Sequence, residues 1–133
     1  MRDSPAEAAR WLRQAQNDLA FARLAARESF FSQACFAAQQ TAEKALKAVA
    51  YGLGERVVLG HSLVELVDRL SERVPMLARL REAGGLLDQY YVTARYPNAL
   101  PGGVPFEAFD RRQADEAVKS ASEFVDAAGR SIP

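Results

Sequence analysis

Apolar residues recur at steps of three and four along most of the chain, which is the spacing that places side chains on one face of an α-helix. No segment shows the strict alternation of apolar and polar residues that indicates a half-buried β-strand. The pattern predicts five helices, which run from about Ala6 to Arg27, from an N-cap at Ser32 to about Leu53, from Ser62 to Val74, from Leu77 to about Tyr96 and from Asp110 to Ile132.

Polar and turn-forming residues mark the ends of these helices. Ser62 is followed by Glu65, and Asp110 is followed by Gln113, each at the spacing of a capping box. Pro97 ends the fourth helix, and residues 98–109 form the longest loop, which is rich in proline and glycine. Because most connections are short, consecutive helices should run antiparallel. The sequence therefore predicts one all-α domain over residues 1–133, an up-and-down four-helix bundle with one additional short helix.

Two large apolar side chains have no place in the buried stripe of the first helix. Phe21 and Leu24 fall on the face opposite the stripe that contains Ala8, Ala15 and Leu19. Exposed apolar groups in a small helical bundle favour a subunit interface over the packing of a loop. Phe21 and Leu24 are therefore candidates for a subunit interface.

Composition and charge exclude several classes of function. The 17 Lys and Arg residues balance the 17 Asp and Glu residues, which argues against a dedicated nucleic-acid coat or a polybasic membrane binder. No apolar run approaches the roughly 18 residues that span a bilayer. His61 is the only histidine and Cys35 the only cysteine, so neither a histidine-rich metal site nor an internal disulfide is expected. We expect a cytoplasmic protein that uses no metal and no cofactor.

Polar side chains form a row along the second predicted helix. Gln40, Glu43 and Lys47 line up on one side, with Lys44 beside them. One interpretation is a solvated face that carries a Glu–Lys pair. The other is a recognition surface that offers amide, carboxylate and ammonium groups to a ligand.

The end of the fourth predicted helix offers groups that suit a nucleotide. Asp88, Tyr91 and Arg95 share a face, and Tyr96 follows directly. A guanidinium group fits phosphate, and a tyrosine ring can stack on a base. The alternative is an Asp88–Arg95 contact, or a contact of Arg95 with the end of its own helix, that only holds the loop. His61 precedes the Ser62 cap, a position more typical of a packing or capping residue than of a catalytic base.

Three motifs, taken together and in this order, resemble the HEPN domain family. The resemblance extends from about Arg10 to Ala128, and the Trp-Leu and Asn-Asp-Leu sequences of the first helix also fit it. The motifs are Gln39-Gln40-Thr41-Ala42-Glu43-Lys44-Ala45-Leu46-Lys47, His61-Ser62-Leu63 and Arg95-Tyr96-Pro97.

The resemblance implies a helical homodimer, often encoded beside a minimal nucleotidyltransferase and acting in a toxin–antitoxin or stress system. Many HEPN proteins are metal-independent ribonucleases whose motif has four to six residues between an arginine and a histidine. Arg95 matches that arginine, but Leu100, Pro101 and Gly102 occupy the histidine positions. The resemblance therefore favours a non-catalytic module that binds a nucleotide, an RNA or a nucleotidyltransferase. The alternative is a ribonuclease with a degenerate motif, in which His61 assists Arg95.

The candidate site follows from these motifs. We expect contacts with a nucleotide or RNA at Arg95, Tyr96, Lys44, Lys47, Glu43, Gln40, Asp88 and Tyr91.

Overall fold

The computed structural model describes residues 4–132, and within them every regular element is helical. Three long helices, α1, α2 and α7, form most of the bundle, and shorter helices lie between α2 and α7. The helices are α1 (Ser4–Arg27), α2 (Phe31–Gly52), α3 (Leu63–Leu70), α4 (Arg81–Asp88), α5 (Tyr90–Thr93), α6 (Pro105–Ala108) and α7 (Arg111–Ser131), with 3₁₀ turns at Pro75–Leu80 and Pro97–Ala99. The all-helical bundle predicted from the sequence is confirmed.

Helix α2 lies at the centre of the bundle and packs mainly against α1 and α7. Small side chains permit this close packing, because Ala15 and Ala22 of α1 and Ala38, Ala42 and Ala45 of α2 are all fully buried. A helix that is surrounded on most sides must bury polar residues as well as apolar ones. This position of α2 determines the environment of the candidate site.

The predicted N-cap at Ser32 is wrong. Helix α2 begins at Phe31, and the Ser32 side chain is buried within the first turn. The reason is the tight end of α1, where Ser29 adopts a left-handed conformation with φ of 68°. The Phe30 N–H bonds back to the Ala25 carbonyl at 2.8 Å, the pattern of a Schellman motif. This motif reverses the chain so quickly that α2 starts earlier than the sequence pattern predicts.

The fourth predicted helix is divided into segments, which is a difference from the continuous helix expected over Leu77 to Tyr96. A 3₁₀ turn precedes α4, and α5 follows after a break at Gln89. The Gln89 N–H bonds to the Leu86 carbonyl at 3.2 Å, three residues back rather than four. Asp88 is the last residue of α4, whereas Tyr91 lies in α5.

The capping box predicted at α7 is confirmed, and of the one predicted at α3 the structure shows the bond to the Ser62 hydroxyl. Both bonds of the capping box between Asp110 and Gln113 are present at 2.9 Å. The Ser62 hydroxyl accepts a hydrogen bond from the Glu65 N–H at 3.2 Å. The predicted loop of residues 98–109 is not wholly irregular, because α6 lies within it. Its Pro105 occupies the first turn of α6, where a missing N–H costs nothing.

Candidate functional site

Arg95 lies at the centre of a group of aromatic side chains. Its Cζ atom is 4.3 Å from the ring centroid of Phe36, 4.7 Å from that of Tyr91 and 4.9 Å from that of Tyr96. Its Nε–H donates to the Tyr91 carbonyl oxygen at 2.8 Å, which orients the guanidinium plane. Within residues 4–132, no carboxylate forms an ion pair with Arg95. The guanidinium charge is therefore available to an anionic ligand.

The only histidine of the sequence lies against the same aromatic group. The His61 ring stacks on Tyr91 with a centroid distance of 4.8 Å and an interplanar angle of 21°. Its Nδ1 is 3.1 Å from a carboxylate oxygen of Glu43. Because the carboxylate accepts from Nδ1–H, the neutral ring carries its lone pair on Nε2. The side chain is 58% exposed, so it can meet a ligand. We call Phe36, Glu43, His61, Tyr91, Arg95 and Tyr96 the Arg95 cluster.

Glu43 also holds a second cation, which is buried. The Lys47 ammonium donates to Glu43 at 3.1 Å, and the two side chains are only 9% and 6% exposed. The Lys47 Nζ also lies 5.9 Å from the ring centroid of Trp11. The solvated-face interpretation of this row is therefore wrong for Glu43 and Lys47. A contact between Lys47 and phosphate stays a prediction, although its ammonium group is already engaged in the interior.

Two glutamines link α2 to the backbone of His61. The Gln39 amide is fully buried and donates to the His61 carbonyl oxygen at 3.0 Å. Gln40 in turn donates to the Gln39 side-chain oxygen at 2.8 Å. Gln39 belongs to the family motif but was not predicted as a site residue. Its position beside the buried alanine stripe of α2 is the signal that could have indicated an interior hydrogen-bond role.

Asp88 holds the beginning of α3 rather than Arg95. Its carboxylate accepts from the Leu63 N–H at 2.9 Å, the Val64 N–H at 3.2 Å and the Ser62 hydroxyl at 3.2 Å. These groups lie at a helix N-terminus, where a negative charge is favoured. The structure therefore does not show an Asp88–Arg95 contact, whereas the alternative of a helix-end contact is present as the hydrogen bond from Arg95 Nε–H to the Tyr91 carbonyl oxygen. Asp88 anchors the residues that directly follow His61.

A groove of about 600 Å³ opens beside the Arg95 cluster, between α1, α2 and residues 94–106. Phe36 and Arg95 belong to both the groove and the cluster. Lys44 faces the groove and forms an ion pair with Asp18 of α1. Phe21 and Phe106 also line the groove, although neither was predicted as a site residue. The residues that line the groove include Asp18, Phe21, Phe36, Gln40, Lys44, Arg95 and Phe106.

Several other types of chemistry find no support among the described residues. Within 4–132, no three metal-binding side chains come together. Cys35 is fully buried, and this burial, with the negative charge of Asp110, raises the pKa of its thiol to about 12. The thiol therefore stays protonated near neutral pH and is not an activated nucleophile. In the same part of the chain, no helix has the length and apolar character needed to cross a bilayer.

Comparison with known proteins identifies the fold family. The model of the HEPN domain matches residues 8–131. The chain belongs to the HEPN domain family. A search of curated proteins finds no significant match.

Solved structures agree with membership of the HEPN family. The protein TT1696 from Thermus thermophilus is 36% identical, with a TM-score of 0.89 over 95% of this chain and 98% of that one. ST0689, an archaeal HEPN homologue, is 32% identical, with a TM-score of 0.77 over 94% and 98% of the two chains. A HEPN domain protein from Thermotoga maritima is 29% identical, with a TM-score of 0.73 over 91% and 95%.

Proposed function

We propose that this HEPN domain binds a nucleotide or an RNA at the Arg95 cluster. The observation that carries the proposal is the Arg95 guanidinium, which lies against three aromatic rings and has no carboxylate partner within residues 4–132. A guanidinium group can form two parallel hydrogen bonds with a phosphate. The rings beside it supply surfaces on which a base can stack.

The experiment is a titration of the protein with nucleotides and short RNA, in which calorimetry or fluorescence measures the binding affinity. Arg95→Ala should weaken binding about 10- to 100-fold, because hydrogen bonds to charged groups contribute about 1.5–3 kcal/mol. Arg95→Lys keeps the charge without the planar fork and should give an intermediate affinity. Arg112→Ala removes an exposed arginine of α7 and serves as the matched control. Equal affinity of the wild type and Arg95→Ala, or no binding by either, would overturn the proposal.

A second candidate function is metal-independent cleavage of RNA. The observation that favours it is the position of His61, which contacts the same Tyr91 ring as Arg95 and is oriented by Glu43. In such a reaction a base removes the proton of a ribose 2′-hydroxyl, the 2′-oxygen forms a bond to the adjacent phosphorus, and a cation stabilises the phosphorane. The bond from phosphorus to the 5′-oxygen then breaks, and this oxygen leaves as a hydroxyl after it takes a proton from the protonated base or from water. His61 Nε2 can take the first role and Arg95 the second, although no histidine follows Arg95 in the sequence.

Incubation of a structured RNA with the protein in the presence of a chelator tests this second candidate. Cleavage should occur with the wild type and be lost in both His61→Ala and Arg95→Ala. Cleavage that persists in both variants would indicate a contaminating nuclease. No cleavage by the wild type would leave the binding function and remove the catalytic one.

Dimerisation remains a prediction, and the structure supports it with an apolar patch. Phe21 is 53% exposed, and Leu24 and Phe30 are exposed beside it. Light scattering at micromolar concentration should show a dimer for the wild type and a monomer for Phe21→Ser combined with Leu24→Ser. A monomeric wild type would contradict the prediction. A partnership with a minimal nucleotidyltransferase also stays a prediction, which co-purification after co-expression would test.

A further inference from the structure

His61 lies close enough to Arg95 to act on the same anion. The His61 ring centroid is 4.8 Å from the ring centroid of Tyr91, and Arg95 Cζ is 4.7 Å from that same centroid. The imidazole and the guanidinium are therefore at most about 10 Å apart, the distance over which charges interact in about 0.1 M salt. We propose that protonated His61 is a second anion-binding residue of the Arg95 cluster, so that binding of a ligand phosphate is coupled to uptake of a proton. This inference rests on the proposed function and adds a binding residue and a pH dependence to the same site.

The contact with Glu43 decides what each protonation state of His61 offers to a ligand. The buried carboxylate lies 3.1 Å from Nδ1 and accepts its hydrogen. In the neutral ring Nε2 then carries a lone pair, which repels the oxygen of an anion. In the protonated ring Nε2 carries a hydrogen and can donate a charge-assisted hydrogen bond to a phosphate oxygen. The side chain is 58% exposed, so a ligand can reach it.

The charged and titratable groups around His61 come from α2, α4 and α5. Helix α2 contributes Glu43 and Lys47, which form a buried ion pair and so add no net charge. Tyr91 of α5 stacks on the imidazole, and the negative face of its ring favours a cation. The carboxylate of Asp88 of α4 bonds to the hydroxyl and backbone N–H groups that directly follow His61. None of these groups repels a proton on the ring.

Arg95 opposes protonation of His61 until an anion is bound. Two positive charges at this distance repel each other, which disfavours the protonated ring in the free protein. A phosphate on the Arg95 guanidinium removes this repulsion and itself attracts the imidazolium. Ligand binding and proton binding therefore strengthen each other, and by thermodynamic linkage each does so by the same factor.

Affinity measurements at two pH values test the inference. The probe is the 2′-deoxy dinucleoside monophosphate of adenine, because its phosphodiester keeps one negative charge, whereas a phosphate monoester titrates near about pH 6. The wild type should bind about five- to tenfold tighter at about pH 5.5 than at about pH 8. His61→Gln cannot take up a proton and should bind at both pH values as weakly as the wild type does at the higher one. Arg112→Ala, the control on α7, should keep the wild-type pH dependence.

Nuclear magnetic resonance measures the proton uptake directly. His61 is the only histidine of the sequence, so a protein without a histidine tag gives the signals of a single imidazole ring. The titration curve of this ring should move to higher pH when the dinucleotide is bound, by the logarithm of the affinity ratio. A purely structural role of His61 would not move the curve.

The outcomes separate this inference from the proposed function. Equal wild-type affinity at both pH values, a pH dependence that persists in His61→Gln, or a ring titration that the ligand leaves unchanged would overturn the inference. In each of these cases Arg95-dependent binding would still support the proposed function. Failure of the wild type to bind the dinucleotide at either pH would overturn the inference, and failure to bind nucleotides and short RNA as well would overturn both.

Discussion

Glu43→Ala is expected to lower the free energy of unfolding by about 3–5 kcal/mol, the usual cost of breaking a buried ion pair. The Lys47 ammonium is 9% exposed and would lose its carboxylate while remaining in the interior. The carboxylate also bonds to His61 Nδ1, so the substitution frees a ring of the candidate site. Urea denaturation at neutral pH, with circular dichroism as the probe, measures the effect.

Two further variants separate the buried pair from a general effect of charge removal. Glu116→Ala removes a half-exposed carboxylate that pairs with Arg112 on α7, and its effect should stay below about 1 kcal/mol. Glu43→Leu combined with Lys47→Met removes both charges and should restore most of the lost stability, because it leaves no charge unpaired. A loss for Glu43→Ala no larger than that for Glu116→Ala would contradict the role assigned to this pair.

Asp88→Ala is expected to lower the free energy of unfolding by about 2–3 kcal/mol, less than Glu43→Ala does. It would remove the acceptor for the Leu63 and Val64 N–H groups at the beginning of α3 and for the Ser62 hydroxyl. The Ser62 hydroxyl would still cap Glu65, so α3 should fray rather than be lost. Thermal denaturation of the variant measures the stability.

The same variant connects stability with ligand binding. Because Ser62 directly follows His61, a loosened start of α3 should also weaken nucleotide binding, although the hydrogen bonds of Asp88 go to Ser62, Leu63 and Val64. Asp88→Asn keeps one acceptor oxygen and should lose about half as much stability as Asp88→Ala. Wild-type stability in Asp88→Ala would show that this carboxylate does not hold α3.

The fold was largely predictable from the spacing of apolar residues, because α1 and α7 each bury one face. In α7, Ala114, Ala121 and Phe124 recur at helical spacing and are buried. The division of the fourth helix was not predictable in the same way. Its apolar spacing continues across Gln89, so the spacing gives no sign of the break that the structure shows there.

The candidate site was predictable only in part. Arg95 and Tyr96 could be identified from one motif, and the structure brings Tyr91, Glu43 and His61 to them. The spacing of apolar residues cannot reveal that other helices surround α2 on most sides. Glu43 and Lys47 are buried because they lie on this central helix. The groove depends on the conformation of residues 94–106, and the sequence of this segment has no periodic spacing of apolar residues from which that conformation could be predicted. Phe106 therefore gave no signal of its place beside Arg95.

A crystal structure of the protein with the 2′-deoxy dinucleotide of adenine tests the central claim most directly. The phosphodiester should lie with an oxygen within about 3 Å of an Arg95 Nη atom, and a base should stack on an aromatic ring of the groove or of the Arg95 cluster. A phosphate bound elsewhere on the surface, with the Arg95 guanidinium unoccupied, would contradict the account.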